Sequence, residues 1–187
     1  MASENDIAAV FDAADKLGTV TALVANAGIV APKSRVDQLT LSRLEEMFAV
    51  NVIAPFLACG QAVRRMSTFH GGAGGGIVLV SSAASRLGSA GEYVDYAASK
   101  GAIDTLGIGL AREVAEEKIR VNVVRPGIID TEIHQRNGSP DRVALVAGTI
   151  PMKRAGYAYE VAAAIIWLLG DQASYCTGTI LDVAGGR

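Results

Sequence analysis

Hydrophobic positions along this chain follow a helical period in some stretches and form short unbroken runs in others. Between residues 4 and 17, Ile7, Val10, Phe11 and Ala14 recur at helical spacing, which predicts an amphipathic helix. Val20 to Ala25 is a short apolar run ending in Asn26-Ala27-Gly28 and reads as a strand. Thr40 is placed to cap a long helix that reaches about Met66 and contains Asn51. That helix is expected to bend or break near Pro55, because proline has no N–H to donate to the preceding turn. Ile77 to Val80 predicts a buried strand ending in Ser81-Ser82, and Tyr93 to about Glu117 a second long helix. The second helix carries Ala97, Ala98, Gly101, Ala102, Gly107 and Gly109, small residues that allow a neighbour to approach closely. Ile119 to Val124 is a strand running into Arg125-Pro126-Gly127, Tyr159 to Leu169 a helix, and Thr179 to Val183 a last strand before Gly185-Gly186-Arg187. Residues 130–156 read as irregular or weakly helical, with Asn137-Gly138-Ser139-Pro140 as the clearest turn signal.

Helix and strand thus alternate four times, the order expected of an α/β fold with a parallel sheet. In such sheets ligands sit beyond the carboxyl ends of the strands. Asn26, Ser82 and Pro126-Gly127 all fall at predicted strand ends, so the candidate chemistry converges on one edge of the sheet. There is no internal repeat and no linker-like segment, and residues 1–187 are read as one domain.

Composition fits this picture. Half of the 187 residues are hydrophobic and the mean hydropathy is +0.31, as suits strands buried on both faces. The longest strongly apolar run, Val161 to Leu169, is far shorter than the roughly 20 residues of a membrane-spanning helix. No membrane association is expected, and the N-terminus lacks a signal-peptide pattern. A net charge of −2 with scattered Lys and Arg gives no electrostatic reason to expect nucleic acid. Cys59 and Cys176 are far apart and fit reduced thiols of a cytoplasmic protein. His70 and His134 have no ligand cluster around them, so no metal site is expected.

The candidate chemistry centres on Tyr96-Ala97-Ala98-Ser99-Lys100. Residues four apart on a helix share a face. A phenol with an ordinary pKa of about 10 exchanges protons poorly at neutral pH, and a fixed positive charge beside it favours the phenolate. The pair therefore reads as a general acid/base centre. Tyr93 and Ser81 are competitors for the roles of Tyr96 and Ser82, but only Tyr96 has a lysine four residues later. The glycine run Gly71-Gly72-Ala73-Gly74-Gly75-Gly76 is not a phosphate loop, since it follows a helix and precedes a strand. It is expected to be a flexible surface connection.

Together these motifs resemble the short-chain dehydrogenase/reductase family, in its single-domain, Rossmann-like form. The motifs that carry the resemblance are Asn26-Ala27-Gly28, Asn51 in Ala49-Val50-Asn51-Val52, Ser82 in Val80-Ser81-Ser82-Ala83, Tyr96 to Lys100, Pro126-Gly127 with Thr131, and Thr177-Gly178 with Asp182 and Gly185-Gly186. Six motifs in this order are far more specific than a bare Tyr-x-x-x-Lys. The resemblance implies that Tyr96 gives a proton to a substrate carbonyl or takes one from an alcohol. It implies that Lys100 binds the nicotinamide ribose and lowers the Tyr96 pKa, and that Ser82 holds the substrate oxygen. Asn51 would hold a water linking Lys100 to solvent. Asn26, Ala27 and Gly28 would stabilise the sheet and flank the adenosine side of NAD or NADP. Pro126 and Gly127 would line the nicotinamide, Ile129 would meet its carboxamide through backbone, and Thr131 would contact the cofactor.

The implied activity is NAD(P)-dependent interconversion of an alcohol and a ketone on a small or medium-sized substrate, in a homo-oligomer (a dimer or tetramer) built on the two long helices. Family members begin with a strand, a Thr-Gly-x-x-x-Gly-x-Gly turn and a further helix and strands, and this sequence shows none of them. The expectation is a Rossmann-like sheet lacking its first βαβαβ part, with Val20–Ala25 as an apolar sheet edge that invites association. Met1-Ala2-Ser3-Glu4 resembles the middle of a longer member, as if read from an internal start. The alternative function is a non-catalytic remnant that serves in binding or oligomerisation.

Overall fold

A computed structural model describes residues 3–131 and 142–187. The expected turn at 137–140 and His134 lie outside the described residues. Helix α1 (Glu4–Asp15) opens on a capping box: Ser3 Oγ accepts from the Asp6 amide, and Asp6 accepts from the Ser3 amide. Strands β1 (Ala22–Ala25), β2 (Gly75–Val80), β3 (Ile119–Pro126) and β6 (Ile180–Val183) form a parallel sheet in the order β1-β2-β3-β6. A small second sheet pairs β4 (Ile129–Asp130) with β5 (Gly156–Tyr157) inside the stretch expected to be irregular. The remaining helices are α2 (Leu41–Phe48), α3 (Ala54–Met66), α4 (Ala84–Leu87), α5 (Val94–Glu113), α6 (Arg142–Ala147) and α7 (Ala158–Leu169).

The pleat divides the core. Alternate strand residues point to opposite faces, so Ile77 and Leu79 of β2 and Val121 and Val123 of β3 meet Phe11, Cys59, Met66 and Ile103 from α1, α3 and α5. The intervening Val78 and Val124 meet Val161 and Leu168 of α7 on the other face. Polar side chains fix the margins. Arg120 donates to the carbonyls of Leu168, Leu169 and Gly170, where the end of α7 leaves its acceptors unpaired. Buried Asn122 bridges β3 to the Cys176 carbonyl and the Thr179 amide ahead of β6. Strand β1 is an edge of this sheet, as the sequence predicts, with Val24 40% exposed.

The predicted Thr40-capped helix to Met66 is interrupted near Pro55, as expected: α2 and α3 are joined by a π-helical turn, Ala49–Ile53, just upstream of the proline. Pro55 leaves the Asn51 carbonyl without its usual i+4 donor, and the Ala54 amide reaches back five residues to the Ala49 carbonyl. The second long helix stops at Glu113 rather than near Glu117, where a 3₁₀ turn closes on Lys118 in the left-handed region. The glycine run is a close-packed junction rather than a flexible connection. A Cβ on Gly72 would lie 2.4 Å from the Arg65 and Met66 carbonyl oxygens, and Gly74, at φ +90°, would put one 2.5 Å from the Lys118 oxygen. Gly75 and Gly76 already belong to β2, at the end of the strand opposite the functional cleft described below.

The 26-residue stretch Leu41–Met66 is the one segment among the described residues long and apolar enough to cross a membrane by length and composition. Here it lies along the protein, with Met47, Asn51, Cys59, Ala62 and Met66 buried.

Candidate active site

A cleft of about 600 Å³ opens beyond the carboxyl ends of β1, β2 and β3. Strand alternation sorts the two serines that follow β2. Ser81 is buried, and its Oγ donates to the Lys100 carbonyl at 3.0 Å, a structural tie between β2 and α5. Ser82 lines the cleft together with Tyr96 and accepts from the Ala84 amide at 3.1 Å. Tyr93 also lines the cleft and is buried at the N-cap of α5.

On α5, Tyr96 and Lys100 stand one turn apart, with the Lys100 Nζ 5.8 Å from the Tyr96 ring centre. Nζ donates to the Val80 carbonyl at 2.8 Å. An ammonium carries three donors, so two remain for a ligand in the cleft. Burial pushes Lys100 down to about 8, against the upward pull of Asp104; at neutral pH it remains mostly an ammonium. Burial likewise pushes the Tyr96 phenol up, and the neighbouring Ser82 pulls it down. The net direction for Tyr96 is upward, opposite to the lowering expected from Lys100. The physical reason is that desolvation of a phenolate outweighs its stabilisation here, with the ammonium turned toward Val80. Tyr96 therefore presents a protonated phenol at neutral pH, the form suited to donating a proton.

Asn51 is fully buried in the π-helical turn. Its Oδ1 accepts from the Ile29 amide at 2.8 Å, and its Nδ2 donates to the Ile29 carbonyl at 2.9 Å and to Ser99 Oγ at 3.1 Å. The side chain thus staples the segment after β1 to the helix bearing Tyr96. The segment passes close to the lysine: a Cβ on Gly28 would lie 3.3 Å from Lys100 Nζ and 3.4 Å from Asn51 Oδ1. Asn26 and Gly28 line the cleft; Ala27 is exposed beside them and does not. The Asn26 amide donates to the Val24 carbonyl at 3.1 Å at the end of β1. Pro126, Gly127, Ile129 and Thr131 all line the cleft. Gly127 is held against Ala184, where a Cβ would come within 2.8 Å of the Ala184 Cα.

Sequence reading missed the wall formed by Ala158, Val161, Ala162 and Ile165 of α7, and Arg187 at its rim. From Val161 onward α7 is apolar all round, which conceals the face it turns to the cleft. Among the described residues no cluster of His, Cys, Asp or Glu could hold a metal ion.

The sheet is all parallel and carries Ser82, Tyr96 and Lys100 at its carboxyl edge, where open α/β sheets bind their ligands. Comparison narrows the class. A profile of the family described as "Enoyl-(Acyl carrier protein) reductase" matches residues 1–187. The uncharacterized oxidoreductase YgfF of Escherichia coli is 55% identical over 188 residues, covering 100% of this chain and 76% of that protein. A glucose and ribitol dehydrogenase homolog of rice is 37% identical, covering 90% of this chain and 57% of the relative. The crystal structure of a blue fluorescent protein from a metagenomic library in complex with NADPH superposes with a TM-score of 0.86 at 31% identity, over 98% of this chain and 72% of that one. The chain belongs to the short-chain dehydrogenase/reductase family of oxidoreductases.

Proposed function

We propose that this protein is an NAD(P)-dependent oxidoreductase that interconverts an alcohol and a ketone, with Tyr96 as the acid/base. The carrying observation is the convergence of Ser82, Tyr96 and Lys100 on one cleft, with two Lys100 donors left for a ligand. The cleft accommodates a nicotinamide end: Lys100 offers donors to ribose hydroxyls, and Gly127, Pro126 and Ile129 give a flat, close wall. When bound, the nicotinamide supplies or accepts the hydride. Ser82 orients the substrate oxygen toward Tyr96, and the Tyr96 phenol gives its proton to that oxygen during reduction. In the reverse direction the phenolate takes it back, stabilised by the Lys100 ammonium. The Asn51 backbone, in its π-helical turn, is the proposed seat of a water that returns the proton to solvent. Asn26, Ala27 and Thr131 are proposed to flank the cofactor.

The test is Tyr96→Phe, assayed with a panel of small hydroxy compounds and ketones. We expect kcat to fall by about 10²- to 10⁴-fold, the usual share of a general acid/base, while cofactor affinity changes less than about threefold. An unchanged kcat sinks the assignment.

A homo-oligomer is proposed on the outer faces of α5 and of α3 with the π-helical turn before it, where Ile53 and Phe56 are half exposed and Gly101 and Gly109 have open space around them. Light scattering of Phe56→Asp should report a smaller species than the wild type. An unchanged mass removes this face as the interface.

A further inference from the structure

The segment after β1 forms one wall of the cleft through Asn26, Gly28 and Val30, yet residues 26–35 have no helix or strand of their own to hold them. Asn51 holds the segment at Ile29. A second hold comes from Arg43, about two turns earlier on α2. Its Nη1 donates to the Pro32 carbonyl at 2.7 Å, and its Nε donates to Asp95 Oδ2 at 2.7 Å. Asp95 precedes Tyr96 on α5, and its carboxylate is 1% exposed.

The geometry of this pair is uneven. An arginine fork usually takes both carboxylate oxygens. Here buried Arg43 Nη2 and buried Asp95 Oδ1 each lack a hydrogen-bond partner among the described residues. Unpaired buried groups lower stability, so a pair serving stability alone would close the fork. This one reaches across to the segment instead. The two holds bracket Tyr96 along α5: Asn51 bonds Ser99 beyond it, and Arg43 bonds Asp95 before it. Val30, which lines the cleft, lies between the held residues Ile29 and Pro32.

We propose that Arg43, anchored on Asp95, is a positioning residue that holds the cleft wall after β1 against the start of α5, in register with Tyr96 and Lys100.

The proposal rests on the reading of the cleft as a nicotinamide-cofactor site. Gly28 brings this wall close to the lysine, since a Cβ there would lie 3.3 Å from Lys100 Nζ. A small shift of the wall therefore changes the space for a ribose beside Nζ. Other ties do not replace Arg43. The Ser34 amide donates to the Glu92 carbonyl at 2.9 Å and Lys33 pairs with the Glu92 side chain, but these residues do not line the cleft. Arg35 pairs with Asp37 on the exposed surface.

The test removes both partners together. Arg43→Met/Asp95→Leu puts apolar side chains in place of the pair, so neither charge is left buried alone, and the melting temperature should stay within a few degrees of the wild type. Amide hydrogen exchange of the cofactor-free protein, followed by NMR, should then quicken at least about tenfold at Ile29 and Ser34 and stay unchanged in β2. Affinity for NADH or NADPH should fall at least about tenfold, and in turnover assays the cofactor KM should rise by a larger factor than kcat falls, the mark of lost binding geometry. If the double variant does not fold, Arg43→Lys keeps a cation for Asp95 without the fork that spans to Pro32, and should give the same pattern. Unchanged exchange at Ile29 and Ser34, faster exchange spread equally into β2, or released amides with unchanged cofactor affinity each overturns the proposal. Failure of the dehydrogenase reading shows separately, as a wild type that binds neither cofactor; exchange needs no cofactor and still decides whether Arg43 holds the wall.

Discussion

At the scale of single residues, the site is governed by buried Lys100 and half-buried Tyr96, whose titrations move in opposite directions. Lys100 is held below its ordinary value of 10.5, at about 8, because desolvation disfavours the ammonium. Tyr96 is held above 10, because the same burial disfavours the phenolate. The Lys100 shift makes stability depend on pH with a definite sign. Between pH 8 and 10.5 the unfolded chain keeps the lysine proton and the folded protein has released it, so stability rises with pH across that window. Below about pH 8 both states are protonated and the folded protein bears the full penalty of a buried ammonium. Urea unfolding of the wild type and of Lys100→Met, compared from pH 7.5 to 10.5, should show the wild type gaining up to about 3 kcal/mol relative to the variant. A difference that stays flat across the window would show that Lys100 is not desolvated as described.

Elements place these residues, and small side chains decide how closely the elements pack. Gly107 on α5 faces the protein's own sheet: a Cβ there would lie 2.2 Å from Val123 Cγ2. Sequence alone could not tell this glycine from Gly109, which has nothing within 4 Å. Gly107→Ala should therefore destabilise by about 1–3 kcal/mol through overpacking. Gly109→Ala should be neutral or stabilise by about 0.5–1 kcal/mol, since alanine is the better helix former. Thermal melts of the two variants check this, and equal melting temperatures would contradict it. The same limit explains what else the sequence left hidden. Apolar runs located β1, β2, β3 and β6, most completely for β2, which is buried almost throughout and has no polar side chain to interrupt the run. The β4–β5 pair was invisible because two-residue strands have no period to read. The π-helical turn was half visible: Pro55 marked a disturbance, but its place at Ala49–Ile53 comes from where the ladder finds new acceptors. The glycine run was misread because composition signals freedom, whereas its packing against Arg65, Met66 and Lys118 depends on tertiary contacts.

Across the whole molecule, the residues singled out by sequence converge on one edge of one sheet, and they arrive from four elements far apart in the chain. Ser82, Tyr96, Lys100, Pro126 and Gly127 were legible because their spacing and order are those of a known family. The α7 wall and the Arg43–Asp95 pair were not, because the first is apolar all round from Val161 onward and the second joins residues 52 positions apart. The central claim is that this cleft is a nicotinamide site organised by Lys100. Its most direct test is fluorescence titration of the 187-residue protein with NADH and with NADPH. The donor is the single tryptophan, Trp167, on the helix that forms one wall of the cleft. The account predicts saturable energy transfer from Trp167 to at least one of the two cofactors, weakened at least about tenfold in affinity by Lys100→Met, the loss of a charged hydrogen-bonding group. No saturation with either cofactor, or binding that Lys100→Met leaves unchanged, would contradict it.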